Sequence, residues 1–109
     1  MVESAAQQTK IDPAKIPKHK LYNGAEIPIL GLGTFGSDHC EHERVAAAVK
    51  QAIEMGYRHL DCAQIYSNEA YIGKSIAKVI EEGTVKREDL WITAKVYNHM
   101  HEKVEEACK

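Results

Sequence analysis

The order of apolar and polar positions predicts strands that alternate with helices along most of the chain. Residues 27–34 form a short apolar run punctuated by glycines, which is typical of a buried strand. Pro28 is expected at the beginning of this strand, because proline has no N–H to donate to a ladder. Residues 57–61 and 90–94 predict a second and a third strand.

Two amphipathic segments separate these strands. Residues 41–55 carry apolar side chains at helical spacing, and Gly56 is expected to end this helix. Residues 69–82 repeat the pattern, and Gly83 is expected to end the second helix. The apolar faces consist of Val45, Val49, Ala52 and Ile53 in the first helix and of Ile72, Ile76, Val79 and Ile80 in the second. This alternation predicts an α/β fold with a parallel sheet covered by helices.

The beginning of the chain follows a different pattern. Residues 1–18 are polar and contain two prolines, which predicts an extended lead-in. Ordered structure is expected to begin at residue 19, so that residues 19–109 form one folded unit. Within residues 20–27, the pair Asn23-Gly24 predicts a β-hairpin with a type I′ turn, because both residues accept a positive φ angle.

Two helix ends are less regular. Ser37 or Asp38 is expected to cap the start of the first helix. A third helix is expected to begin near Glu102, and no glycine or proline closes it before the sequence ends at Lys109. Its inward-facing residues are expected to be Val104, Ala107 and Cys108.

Composition narrows the class of protein. The 109 residues are 44% apolar and 28% charged, which allows one small globular domain and excludes a two-domain enzyme. The formal net charge of −2 gives no reason to expect a nucleic acid or a membrane as partner. The three cysteines form no C-x-x-C pair, and the N-terminal residues form no apolar signal segment. We therefore expect reduced thiols in a cytoplasmic protein, with no transmembrane helix.

Three reactive side chains follow the predicted strands. Asp61 ends the second strand, Lys95 ends the third, and Tyr66 lies five residues after Asp61. The carboxyl ends of parallel strands share one edge of the sheet, so these side chains are expected to meet there. An ammonium about 4 Å from a phenol favours the phenolate by about 4 kcal/mol at an effective dielectric of about 20. Such a phenol suits proton donation to a carbonyl oxygen, whereas a purely structural ion pair with a nearby aromatic ring remains the alternative.

Three motifs stand in order along the chain. They are Leu-Gly-Thr-Phe at residues 32–35, Gly-Tyr-Arg-His-Leu-Asp-Cys-Ala at residues 56–63 followed by Tyr66, Asn68-Glu69 and Ile72-Gly73, and Val-Lys-Arg-Glu-Asp-Leu-Trp-Ile-Thr-Ala-Lys at residues 85–95. Together they closely resemble the aldo-keto reductase family, and the resemblance covers residues 19–109 continuously. Three motifs in the right order and spacing are far more specific than a single glycine-rich loop.

The resemblance implies a fold and a chemistry. The family folds as a (β/α)8 TIM barrel with an N-terminal hairpin across its bottom, so this chain is expected to be an incomplete barrel of a hairpin and about three βα units. The family reduces aldehydes and ketones to alcohols with NADPH. Tyr66 matches the proton donor, Lys95 the lysine that activates it, and Asp61 the partner of that lysine. Gly33, Thr34, Phe35 and Asp61 match residues that contact the cofactor.

Two positions depart from the family pattern. Phe35 stands where many members carry tryptophan, and Val96-Tyr97 stands where Leu-Trp is usual. Both positions line the substrate pocket in the family, so the preferred carbonyl substrate is left open while the chemistry is expected to be kept. A metal site is not expected, because no spacing fixes four ligands among the candidates. These candidates are His39, Cys40, His42, His99 and His101.

The resemblance also implies parts that these residues lack. A barrel of this type needs about 250 residues, and the family's catalytic histidine and adenosine-phosphate site follow later strands. We therefore expect a chain shortened by truncation, an early stop or an incomplete gene model. Two alternatives stay open: an inactive module that binds a partner through exposed strand edges, and several copies assembled into a composite barrel. The oligomeric state is not indicated by the sequence.

Overall fold

A small parallel sheet and two helices form the centre of the molecule. The computed structural model describes residues 10–36 and 40–108. In chain order the elements are β1 (Lys18–Lys20), β2 (Glu26–Pro28), β3 (Leu32–Gly33), α1 (His42–Met55), β4 (His59–Asp61), α2 (Glu69–Glu81), β5 (Trp91–Thr93) and α3 (Val104–Cys108). Strands β1 and β2 form an antiparallel hairpin, and the others form a separate parallel sheet in the order β3-β4-β5. The described residues thus form an α/β unit and no closed barrel.

The strand register aligns the carboxyl ends of the sheet. Gly33 pairs with Asp61, and Asp61 pairs with Thr93. The last residues of β3, β4 and β5 therefore stand side by side, and the loops that follow them leave from one edge. This edge is where the sequence predicts the reactive side chains.

The apolar core lies between the sheet and the two long helices, which also pack against each other. Val49, Ile53, Leu60 and Val79 have no exposed surface. All eight apolar-face residues predicted for the two helices lie in this core, line its edge or are otherwise buried. The two long predicted helices are confirmed within one residue at each end.

The hairpin turn differs from the prediction. Gly24 has a φ of +90°, and the only non-glycine residue with a positive φ in the described ranges is Ser67. A type I′ turn needs positive φ angles at both central residues, so the prediction was wrong for Asn23. Instead, the Asn23 side chain accepts a hydrogen bond of 3.0 Å from the Ala25 N–H. This local bond lets Asn23 keep a negative φ within a longer turn.

The predicted strand over residues 27–34 is divided in two. Pro28 ends β2 rather than beginning a strand, and the chain joins the parallel sheet only at Leu32. The Ile29 N–H bonds to the Pro17 carbonyl at 3.0 Å, and the Pro28 carbonyl lies 3.0 Å from His59 Nδ1. These long-range contacts direct the chain from the hairpin to the sheet, and sequence periodicity does not report them.

The lead-in packs on the end of α1. Gly56 ends this helix with a φ of +123°, and a Cβ there would lie 2.3 Å from the Ile11 carbonyl oxygen. The Ile11 N–H also donates to the Met55 carbonyl at 2.7 Å. Gly56 is therefore required both for its backbone angle and for this close approach. A 3₁₀ turn, Pro13–Lys15, follows in the same segment.

The start of α1 and the short helix α3 are the remaining helix ends. The proposed caps Ser37 and Asp38 lie outside the described residues, and the N-cap position of α1 is Glu41. In α3, Val104 and Cys108 are exposed, so the prediction that they face inward was wrong. Ala107 is half-buried. Among the described elements, no other helix or strand makes extensive contact with α3. Within residues 10–36 and 40–108, every helix is too short or too polar to cross a membrane.

Candidate active site

The three predicted reactive side chains lie at the carboxyl edge of the sheet. Asp61 is the last residue of β4, and Lys95 lies two residues beyond β5. Tyr66 ends a 3₁₀ turn, Gln64–Tyr66, between β4 and α2. The structure therefore brings together residues that are up to 34 positions apart in sequence.

The Lys95 ammonium is the centre of this cluster. Its Nζ donates hydrogen bonds to Asp61 Oδ1, to the Cys62 carbonyl at 3.0 Å and to Tyr66 Oη at 3.5 Å. The side chains of Lys95 and Asp61 are 46% and 45% exposed, so the pair is open to solvent and to a ligand. The three donor directions of the ammonium are thus all used, which fixes its position.

The surroundings favour the charged form of Lys95. Its pKa is raised above the ordinary value of 10.5, chiefly by the hydrogen bond to Asp61. Partial burial opposes this rise less strongly, and the bond to Tyr66 makes a still smaller contribution that raises the pKa. Lys95 is therefore an ammonium at neutral pH. A fixed positive charge beside a phenol oxygen stabilises negative charge that develops on that oxygen.

The loop that carries Tyr66 is tightly turned. Ser67 follows Tyr66 with a φ of 59°, a left-handed conformation that turns the chain into α2. The loop begins where the Cys62 N–H donates to the Thr93 carbonyl at 2.7 Å. The Gln64 N–H then reaches the Lys95 carbonyl at 3.4 Å. Backbone contacts to β5 and its following loop thus hold the first half of the Tyr66 loop.

The residues after β3 lie beside this cluster. Thr34 is buried, and both its N–H and its hydroxyl donate to the Asp61 carbonyl, at 3.1 Å and 2.9 Å. The Phe35 ring is 65% exposed, and its centroid lies 5.1 Å from that of Tyr66. Apart from Gly33 and its two chain neighbours, no described residue has an atom within 4 Å of the place that a Cβ on Gly33 would take. Of the residues predicted to contact a cofactor, Gly33, Phe35 and Asp61 are therefore open at the edge that holds Tyr66, whereas Thr34 is buried.

Asn68 is a buried residue of this region for which the sequence predicts no role in the chemistry. It is 1% exposed, and its Nδ2 donates to the Thr34 carbonyl at 2.7 Å. The signal that could have revealed it is a polar residue immediately before an amphipathic helix and two residues after Tyr66. That position predicts a helix cap, whereas the observed partner lies 34 residues away.

The cysteines and histidines form no alternative site in the described ranges. Cys62 is buried, and burial raises the pKa of its thiol, which keeps it protonated and unreactive. Cys40, Cys62 and Cys108 are unpaired. Across residues 10–36 and 40–108, no group of three His, Cys, Asp or Glu side chains is placed to hold a metal ion. His39 lies outside these ranges.

A cavity of about 440 Å³ lies at the opposite end of the strands. Arg58 and Trp91 line it at the amino ends of β4 and β5, and Asp12 and Glu26 close it from the lead-in and the hairpin. It contains none of the three reactive side chains. The charged and hydrogen-bonded groups converge instead at the open carboxyl edge, around Lys95.

Comparisons with known proteins show the family to which the chain is similar. The family model described as "Aldo/keto reductase family" matches residues 29–108. An aldo/keto reductase of Synechocystis sp. is 53% identical over 81 residues, which is 74% of this chain and 24% of that protein. Aldo-keto reductase family 1 member A1 of Gallus gallus is 49% identical over 92 residues, which is 82% of this chain and 27% of that protein.

A solved structure of an aldo-keto reductase is also similar to this chain. The crystal structure of a Bombyx mori aldo-keto reductase in complex with NADP superimposes with a TM-score of 0.73 and 41% identity. The match covers 78% of this chain and 29% of that one. The chain thus spans about a quarter of the length of the relatives it matches.

Proposed function

Because this chain belongs to the aldo/keto reductase family, we propose that it carries the proton-donating part of an NADPH-dependent reductase of aldehydes and ketones. In this proposal its strands are the first of a (β/α)8 barrel, and Tyr66 is the proton donor. The observation that carries the proposal is the Lys95 ammonium, bonded at once to Asp61 and to Tyr66. A structural ion pair alone has no need of the phenol.

The residues present fit the nicotinamide end of the cofactor. The space beside Gly33 is open, so a flat ring can approach the strand end without meeting a side chain. The Asp61 carboxylate is 45% exposed and has acceptor capacity left for a ribose hydroxyl. When bound, NADPH supplies a hydride to the carbonyl carbon of the substrate. The exposed Phe35 ring offers an apolar wall beside it.

Each residue of the cluster has a separate task. Tyr66 Oη gives its proton to the carbonyl oxygen as negative charge develops there. Lys95 stabilises the phenolate left behind, from a distance of 3.5 Å. Asp61 keeps Lys95 charged and in place.

The unpaired cysteines support a reducing compartment such as the cytoplasm as the location.

The test measures NADPH oxidation by the encoded polypeptide. This term means the whole polypeptide that is translated from the transcript and contains these residues. With an aromatic aldehyde as substrate, Tyr66→Phe should lower kcat about 10²- to 10⁴-fold, the usual contribution of a general acid. Tyr71→Phe is the matched control, because Tyr71 lies exposed on α2. Equal rates for the wild type and Tyr66→Phe would exclude Tyr66 as the donor.

Reading the transcript past codon 109 tests the proposed barrel. We expect further alternation of strands and helices and a histidine at the end of a later strand. A stop at codon 110 would favour a second candidate, a module that binds a partner through its sheet edges. The described part of the sheet supports this candidate, since β3 and β5 each pair on one side only. Size-exclusion chromatography of the 109-residue chain then distinguishes a defined species from an aggregate.

A further inference from the structure

We propose that Asn68 is a positioning residue for Tyr66, because its side-chain amide fastens the Tyr66 loop to the end of β3. This inference rests on the proposed reductase function. It adds a residue that touches neither Lys95 nor Asp61 through its side chain. In this view, Asn68 sets where the Tyr66 hydroxyl stands relative to the open edge of the sheet.

The contact itself is well defined. Asn68 and Thr34 are each 1% exposed, and the Nδ2 of Asn68 lies 2.7 Å from the Thr34 carbonyl oxygen. A carbonyl can only accept, so the amide nitrogen must be the atom that faces it. The side-chain orientation of Asn68 is thereby fixed. The bond is shielded from water, which strengthens it relative to an exposed one.

The Asn68–Thr34 bond completes a series of hydrogen bonds that links both ends of the Tyr66 loop. Thr34 donates twice to the Asp61 carbonyl, and Asp61 accepts from Lys95, which donates to Tyr66 Oη. The Tyr66 loop therefore leaves β4 at Asp61 and is tied back to the same residue through Asn68 and Thr34. Tyr66 lies between the two tied points.

Helix capping does not account for this residue. Asn68 occupies the N-cap position of α2, where a capping side chain accepts a hydrogen bond from the first turn of the helix. Its side chain makes no such bond. The Oδ1 atom is buried and has no partner among the described residues. The amide is thus used as a donor toward β3, and its acceptor, which a cap requires, is unused.

The Asn68–Thr34 bond also affects the position of Phe35 relative to Tyr66. Phe35 follows Thr34 directly, and its ring stands 5.1 Å from that of Tyr66. A change in the Asn68–Thr34 bond should therefore move the two rings relative to each other. This ring pair offers a measurement that is independent of catalysis.

The first test compares two substitutions of similar size in the encoded polypeptide. Asn68→Asp removes the donor and places a carboxylate against the Thr34 carbonyl, whereas Asn68→Leu removes all polarity. We expect both to lower kcat for NADPH-dependent aldehyde reduction at least tenfold at neutral pH, with KM changed less than about threefold. As the pH falls, protonation gives the introduced carboxyl group a donor, so kcat relative to wild type should recover in Asn68→Asp alone.

Ser75→Ala is the matched control. Ser75 lies on α2, and its hydroxyl donates to the Ala46 carbonyl at 2.8 Å, so it also ties this helix to another element by one side-chain bond. A purely structural role for Asn68 predicts equal losses for both positions and no recovery at low pH. Either result would overturn the proposal.

The second test needs no turnover. A fluorinated phenylalanine inserted at position 35 reports the nearby Tyr66 ring through its ¹⁹F chemical shift. We expect Asn68→Asp and Asn68→Leu to move this shift toward the value in Tyr66→Leu, and Ser75→Ala to leave it unchanged. An unchanged shift in a folded Asn68 variant would overturn the positioning role. If the shifts move as expected but the wild type oxidises no NADPH, only the reductase function is refuted.

Discussion

The two faces of the parallel sheet differ although they are built from the same short strands. Leu60, in the middle of β4, is fully buried against both long helices. Its neighbours His59 and Asp61 point to the opposite face and are only partly buried. The helix-covered face thus contributes the apolar core. The other face carries polar side chains, among them Asp61, which bonds to Lys95.

Their partners in β5 repeat the contrast. Ile92 pairs with Leu60 and packs on the core, whereas Thr93 pairs with Asp61, and its hydroxyl oxygen lies 3.2 Å from His59 Nε2. Apolar burial should dominate the stability of the first face, and hydrogen bonds and charge should dominate the chemistry of the second. The contrast teaches that a single residue shift in either strand would exchange the two roles.

The largest effect on stability is expected on the covered face. Leu60→Ala removes a side chain with no exposed surface and should lower the free energy of unfolding by about 2–5 kcal/mol. Asp61→Asn, one residue away on the open face, should cost less than about 1 kcal/mol because its ion pair is half-exposed. Urea unfolding of the encoded polypeptide, followed by circular dichroism, measures both. Equal losses would refute the division between the two faces.

The covered face was also the more predictable one. Its helices show a strong period of 3.6 residues, and burial of Val49 and Val79 follows directly from it. The meeting of Asp61 and Lys95 could be predicted too, because parallel strands bring their carboxyl ends to one edge. Local pattern and a general rule of topology were sufficient in both cases.

The contacts that were missed join distant parts of the chain. The break after Pro28 depends on bonds to Pro17 and to His59, and the donor role of Asn68 depends on Thr34. Periodicity describes one segment at a time and cannot report such pairs. The prediction of a type I′ turn at Asn23 was wrong for another reason. The Asn23 side chain accepts a hydrogen bond from the Ala25 N–H, and with this bond Asn23 keeps a negative φ angle.

On the open face, Lys95→Met should separate chemistry from stability. An ammonium 3.5 Å from the phenol oxygen contributes about 1–5 kcal/mol to a developing phenolate at dielectrics between those of water and a protein surface. We therefore expect kcat to fall by a factor between about 10 and a few thousand, while the free energy of unfolding changes by less than about 1 kcal/mol. Lys78→Met, at an exposed position of α2, is the control and should change neither quantity. A large loss of stability in Lys95→Met would instead assign the pair a structural role.

The smallest effect expected is the pH dependence of the Lys95 contribution to stability. The folded state raises the pKa of Lys95 above the ordinary 10.5, chiefly through the hydrogen bond to Asp61. A raised pKa means that the folded state holds the proton more tightly, so the contribution is fully present below about pH 10.5 and is lost as the pH rises through the folded value. Chemical unfolding at stepped pH should therefore show a constant difference between wild type and Lys95→Met up to about pH 10, followed by a decrease.

Asp61→Asn provides the control for that measurement, because it removes the principal cause of the raised pKa. In an Asp61→Asn background, Lys95→Met should show little of this alkaline decrease. The other ionisable groups are shared by each pair of variants, so their contributions to the free energy of unfolding cancel in the difference. A difference that already declines between about pH 7 and 9 would mean that burial outweighs Asp61 and lowers the pKa of Lys95. The open face would then not hold the charged ammonium on which the proposed proton donation depends.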